Sequence, residues 1–286
     1  MEKWMIVFIT SISSFQIKDY ITGLDMKLIF RKNFVHTRKT LRMTIKNISI
    51  LLLVLLGWNY ASAQTNVKTF FPKILAIPDL SEQAQKGVAR MMELINRTDL
   101  SEAEDKELEI LVEKYGEGKA TAWDVIDEGC SWYCGGGNYK IKASSVLNAQ
   151  GTNSYEAEAA NDLSYKTAWV EGKKGAGIGE YIEYHFKNNS PRVTSIIISN
   201  GYVKSEYAWK NNNRVKQLKL YVNGEIYGVL NLADVKTDQE FAIGTFGRNP
   251  DGSDLILKFE ILDVYPGSKY NDTAITEIYF DGIDVH

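Results

Sequence analysis

The sequence predicts a mainly β protein: an antiparallel β-sandwich preceded by a small α-helical hairpin. Three observations carry this. Short runs of alternating apolar and polar residues recur from Tyr139 onward, separated by Gly- and Asn-containing turns with no helical pattern between them. Upstream, apolar residues fall at helical spacing in two adjacent segments. The change from one pattern to the other comes near residue 128, before Gly129.

Residues 43–63 form a secretory signal. Lys46 supplies a positive start, Ile48 to Leu56 an apolar stretch, and Ala61-Ser62-Ala63 a small-residue cleavage site before Gln64. The apolar stretch is about half the length that crosses a bilayer, which argues against a transmembrane anchor. No cysteine lies near the cleavage site to take a lipid. Residues 1–42 carry no cap or clean period and fit poorly before a signal. Either the start is set too early and Met43 is the true first residue, or the leader is unusually long. The expected location is secreted or periplasmic, with a mature chain from Gln64.

Nine of the 33 basic and three of the 36 acidic residues precede Gln64, so the mature chain holds 24 bases against 33 acids, a formal net charge of −9. That balance opposes binding to nucleic acid or an anionic membrane. Cys130 and Cys134 are the two cysteines. In an oxidising compartment a close pair forms a disulfide. Zinc would need further ligands, and the mature chain offers only His185 and His286.

Residues 64–128 read as the hairpin region. Ser81 caps a helix running to Ile95, with Val88, Met91, Met92 and Ile95 on one face. Ser101 and Glu104 make a capping box before Leu108, Leu111, Val112 and Tyr115, and Gly116 stops that helix. Such a hairpin is too small to bury a core alone, so it should pack on the sandwich or on a protein partner.

Residues 129–286 read as the sandwich. Glu180 to Phe186 places Ile182, Tyr184 and Phe186 on one face. Val193 to Ser199 is β-branched, and Arg214 to Val222 alternates. Asn223-Gly224 turns into Ile226 to Leu232, and Leu255 to Val264 and Ile275 to Phe280 complete the set.

Catalytic patterns are scarce. No G-x-S-x-G, P-loop or HExxH is present. His185, the only histidine in the middle of the chain, falls on an outward strand face. Paired carboxylates among Asp263, Asp272 and Glu277 leave a glycoside hydrolase as a third reading, although acids in β-loops also act as turn formers, hydrogen-bond acceptors or calcium ligands. The aromatics between strands are more informative: Tyr202, Tyr207 and Trp209 in one loop, Tyr265 and Tyr270 in another. Rings beside Asn, Asp and Lys suit a polyol, the rings giving apolar area and the polar groups orientation. Rings packing within their own loops would leave the same signature.

The segments TAWVEGKKGAGIGEYIE, ISNGYVKSEYAWKNNNRVKQLKLYVNG and ILDVYPGSKYNDTAITEIYFDG resemble the NADase-type glycan-binding domain. This discoidin-like, galactose-binding-like module is named after the translocation domain of secreted bacterial NAD glycohydrolase toxins. The resemblance covers about residues 138–285, leaving the hairpin and the Cys130–Cys134 loop outside it. It implies a jelly-roll sandwich that binds carbohydrate through loops at one end, without NADase activity. It also implies one structural calcium, held by Asn161, Asp162, Thr167 and Glu277. Hydrogen bonding of the loops by Asp162 and Glu277 is the alternative, and the family's usual Asp-Gly is Asp162-Leu163 here.

The combined expectation is a non-catalytic glycan-binding module. Its sugar site is formed by Tyr202, Trp209 and Asn212 from one loop and by Tyr265, Lys269, Tyr270 and Asp272 from the other. A protein–protein adaptor using the sandwich loops or the hairpin is the second reading.

Overall fold

The computed structural model describes residues 67–116 and 118–285. The leader, the cleavage site and His286 lie outside the described residues. The described residues group as one compact unit.

The chain enters through β1 (Lys68–Phe70) and β2 (Lys73–Ile74), followed by helices α1 (Glu82–Ile95) and α2 (Glu102–Tyr115). The caps are those the sequence announces. Ser81 Oγ accepts from Ala84 N, and Ser101 and Glu104 exchange a capping box. The hairpin closes over Val88 and Met91, with Met92, Leu108, Leu111, Val112 and Tyr115 around them and Ala122 below. Ile95 does not join this face. It is exposed, and Ala84 and Leu94 are buried instead. Arg90 bridges to Glu107 at 2.9 Å and Arg97 to Glu104 at 2.5 Å, tying the helices together. The segment after the hairpin is sewn to the sandwich: Val125 N donates to Leu163 O at 3.0 Å, and Tyr165 N to Trp123 O at 2.8 Å.

A short helix α3 (Tyr133–Gly136) leads into β3 (Tyr139–Ala143), then β4 (Trp169–Val170), β5 (Tyr181–Phe186) and β6 (Arg192–Asn200). A six-residue helix α4 (Glu206–Asn211) interrupts the loop before β7 (Asn213–Val222). It breaks the expectation of strands without helices between them. Then come β8 (Glu225–Asn231), β9 (Asp238–Phe246), β10 (Leu255–Tyr265) and β11 (Thr273–Ile283).

The strands form the expected sandwich. One layer runs β3-β5-β10-β7-β8, antiparallel throughout, with β1 added in parallel beyond β8. The other runs β2-β9-β6-β11, also antiparallel, with β4 on the far side of β11. A short parallel pairing of Thr273 and Ala274 with Asn213 and Arg214 joins them. The period-two alternation drives this arrangement, sending Ile182, Tyr184, Phe186, Leu218, Leu220, Leu257 and Phe259 inward to meet Ile196, Ile198, Phe241, Ile278 and Phe280. Asn223 (φ 51°) and Gly224 (φ 87°) both turn left-handed, as the β7–β8 hairpin requires.

Two features correct the sequence-based boundaries. The β1–β2 strap, placed in the hairpin region from sequence, belongs to the sandwich: β1 follows β8 in one layer and β2 follows β9 in the other. Trp132, inside the Cys130–Cys134 loop that the resemblance left out, is a core residue, 3% exposed, packed against Phe186 and Phe280, with Nε1 donating to Arg192 O at 3.2 Å.

Candidate functional site

Strand pairing sends the β6–β7 and β10–β11 loops out of the same end of the sandwich. Buried Asn213 laces them together. Its Nδ2 donates to Asn271 O at 2.6 Å, its Oδ1 accepts Gly267 N at 2.7 Å, and its backbone N donates to Asp272 O at 3.0 Å. Asn211 O accepts the amides of Tyr270 (2.8 Å) and Lys269 (3.3 Å). Ser205 caps α4 by accepting from Ala208 N at 3.1 Å. Behind β11, buried Glu171 accepts Thr273 N at 3.1 Å and Lys173 N at 2.8 Å, fixing the backbone beside Asp272. Burial pushes its carboxyl up, more than these amide bonds lower it.

Between these loops and the turn around Gln150 and Asn153 lies a cleft of about 330 Å³. Its rings are Tyr155, Tyr202, Tyr207 and Tyr270, and its polar groups include Gln150, Asn153, Lys204, Asn212 and Asp272. Tyr155 and Tyr202 form the floor, each 8% exposed, while Tyr207 and Tyr270 stand at the mouth, 61% and 39% exposed. Burial raises the Tyr155 and Tyr202 phenols, with Asp272 adding to the effect at Tyr155.

Four of the seven residues expected at the sugar site therefore meet: Tyr202, Asn212, Tyr270 and Asp272 line one cleft. Lys269 lies beside it, its Nζ 3.0 Å from Tyr207 Oη. Trp209 and Tyr265 are turned to other work. Trp209 Nε1 donates to Asn200 O at 3.0 Å under the Arg214 guanidinium, and Tyr265 donates to Leu232 O at 3.0 Å. Sequence reasoning missed Tyr155, Asn153 and Lys204, because the turn that presents the first two lies outside the quoted motifs.

The expected metal ligands meet only in part. The Asn161 side chain is committed, donating to Ile278 O at 2.6 Å and to Tyr133 Oη at 3.2 Å and accepting from Tyr139. Its amide is thus a brace for the core, not a spare ligand. Asp162 accepts Ser164 N at 3.1 Å and Thr167 Oγ1 at 2.6 Å. Glu277 is fully buried. Its Oε1 accepts Ser164 N at 2.9 Å, and its Oε2 has no hydrogen-bond partner among the described residues. Burial pushes the Glu277 carboxyl well above its ordinary range, and the neighbouring Asp162 carboxylate pushes the same way. Leu163 takes φ 59°, keeping the left-handed turn that glycine would otherwise supply. A buried, unsatisfied carboxylate oxygen beside a second carboxylate and a hydroxyl fits a hard cation. Among the described residues, no group of three or more His, Cys, Asp or Glu is placed to hold a metal, so any ion would need backbone oxygens as well.

Cys130 and Cys134 are both exposed thiols, and the expected bridge is not formed in this structure. Cys134 Sγ lies 3.4 Å from Ser131 N and 3.5 Å from Gly129 O. The acids weighed for glycoside hydrolysis have separate surroundings: Asp263 pairs with Lys216 at 2.7 Å, Glu277 holds Ser164, and Asp272 lines the cleft. His185 Nε2 lies 2.7 Å from Glu183 on the outer strand face.

A jelly-roll sandwich with a loop-built cleft at one end defines a discoidin-like module, and comparison gives the family. The model of the NAD glycohydrolase translocation F5/8 type C domain matches residues 132–281, and the chain belongs to that family. The match starts at Trp132, earlier than the sequence motifs suggested, in keeping with that residue's place in the core. Similar solved structures include the CBM32-1, CBM32-2 and M60 catalytic domains of Clostridium perfringens ZmpB. That match has 16% identity and a TM-score of 0.36, and covers 51% of this chain and 14% of that one. An F5/8 type C domain from Bacteroides fragilis is 16% identical, covering 55% of this chain and 95% of that one, with a TM-score of 0.37. The Streptococcus pyogenes NAD+-glycohydrolase translocation domain is 24% identical, covering 40% and 97%, with a TM-score of 0.29. No curated protein matches the chain. Among the described residues, no helix is long and apolar enough to cross a membrane.

Proposed function

We propose that this chain is a non-catalytic glycan-binding module of an exported protein. One observation carries the reading: four tyrosine rings and the side chains of Asn153, Asn212 and Asp272 converge on a single cleft between well-anchored loops. Sugar rings present C–H faces to aromatic rings and hydroxyls to amides and carboxylates. Few contacts are available to offset the cost of association, so affinity should fall between about millimolar and micromolar. The separate surroundings of Asp263, Asp272 and Glu277 support binding without hydrolysis, since a glycosidase needs two acids flanking one bond.

A glycan array followed by calorimetry on residues 64–286 tests this. Binding should be lost in the double variant Tyr207→Ala, Tyr270→Ala, whose exposed side chains are not needed for folding. Unchanged affinity in that variant would remove the cleft from consideration.

Calcium is proposed as a structural ion at Asp162, Thr167 and Glu277. It would neutralise the buried Glu277 carboxylate and hold the Asn161–Thr167 loop. The adaptor reading retains one support, the exposed Ile95 and Ile110 on the hairpin. A stoichiometric protein partner lost on Ile110→Lys would favour it.

A further inference from the structure

One ammonium group lines the cleft and a second stands beside it, both held only by neutral neighbours. Lys204 Nζ lies 3.4 Å from Asn153 Oδ1 and 6.0 Å from the centre of the Tyr202 ring. Lys269 Nζ is 3.0 Å from Tyr207 Oη and 5.0 Å from the centre of the Tyr270 ring. Among the described residues, neither has a carboxylate within ion-pairing distance. The nearby acid Glu206 is already taken by Lys210 at 2.9 Å and Lys236 at 3.7 Å. Asp272, the one acid lining the cleft, likewise forms no ion pair among the described residues. A chain this rich in acids has ample carboxylates, yet among the described residues none pairs with these two cations at the aromatic cleft.

Building on the glycan-binding reading, we infer that the ligand is an acidic sugar. Its anionic group is taken by Lys204 and Lys269, its ring by Tyr207 and Tyr270, and its hydroxyls by Asn212 and Asp272. Neutral holders suit this role. Asn153 and Tyr207 fix the ammonium groups without cancelling their charge, so a ligand anion gains a full charge-assisted hydrogen bond instead of competing with an internal carboxylate. Asp272 accepts hydroxyl donors and would disfavour a densely sulfated chain, which points to a sugar with a single acidic group. A carboxylate (uronate or sialate) and a single sulfate ester share this chemistry.

The test is calorimetric titration of residues 64–286 with four matched oligosaccharide sets, ending in a neutral, a uronate, a sialate or a mono-sulfated sugar. At least one acidic set should bind about tenfold or more tightly than its neutral counterpart, as a charge-assisted bond allows. That advantage should shrink as salt is raised and vanish in Lys204→Gln, Lys269→Gln. Which acidic set binds distinguishes carboxylate from sulfate. Equal or better binding of neutral sugars overturns the inference while leaving the glycan module intact. An acidic preference that survives in the double lysine variant overturns it as well. Absence of binding to every sugar overturns the glycan reading and this inference with it.

Discussion

The Arg214 guanidinium lies 4.6 Å above the ring of Trp209, whose Nε1 donates to Asn200 O at 3.0 Å. Arg214 is in turn held by Asp234 at 2.6 Å and donates to the carbonyls of Trp209 and Asn212. The indole is therefore a strut under the β6–β7 loop. Trp209→Ala should cost about 2–3 kcal/mol, less than removal of a fully buried ring, because the side chain is only partly buried. Urea denaturation measures this. Sugar affinity at temperatures where the variant stays folded should change little.

Glu277 should link stability to pH and, through the proposed ion, to calcium. Its folded-state pKa is raised above the ordinary 4.5, so protonation favours the fold. In chelator, the stability contributed by this group is fully present below about pH 4.5 and lost as pH rises through the higher folded-state value. Calcium should reverse that loss near neutrality and raise the melting temperature. Glu277→Gln should abolish both the calcium response and this part of the pH slope. Identical melting curves with and without chelator would exclude the ion.

The Asn213 lacing makes a separate prediction. Asn213→Ala leaves the Gly267 amide and the Asn271 carbonyl without their partner, at about 1–3 kcal/mol each. The resulting loss of loop registry should weaken sugar binding although Asn213 does not line the cleft. Asn213→Asp, which keeps an acceptor for Gly267 N, should recover part of it. Denaturation and calorimetry on the two variants check this.

Export should leave two chemical marks. N-terminal mass spectrometry should find a mature end at Gln64 or its pyroglutamate. Thiol counting on the exported protein should find Cys130 and Cys134 joined, a loop closure worth about 2 kcal/mol in the chain-entropy account. Both cysteines are exposed, so unreacted thiols would be counted readily and would dismiss the bridge.

Much of the fold was legible because strands such as β5 alternate strictly: Ile182, Tyr184 and Phe186 point inward as their spacing demands. The Ser81 and Ser101 caps and the Asn223-Gly224 turn carry their own local chemistry and formed as expected. What was not legible depends on distant partners. Two- and three-residue strands such as β1 and β2 are too short to show a period. Trp132 and Trp209 look alike as aromatics in polar loops, and distant partners place both: Phe186, Phe280 and the Arg192 carbonyl for Trp132, Arg214 and the Asn200 carbonyl for Trp209. Tyr155 sits among polar residues in NSYEAEAA with nothing local to mark it as a cleft floor.

The β1–β2 strap has a mechanical meaning. Phe70 stacks on Tyr227 at 5.7 Å and lies over Gly228, where an added Cβ would fall 2.5 Å from its ring. A few residues later Lys73 and Ile74 pair with Glu240 and Gln239. Tension arriving from upstream of Lys68 is thus delivered first to the rim of one layer and then to the rim of the other, before it reaches the hairpin. The strap should therefore yield first, and single-molecule stretching from the N-terminal side should show a small early release ahead of sandwich rupture. In Gly228→Val, which evicts Phe70, that first release should be missing while the main rupture force stays the same.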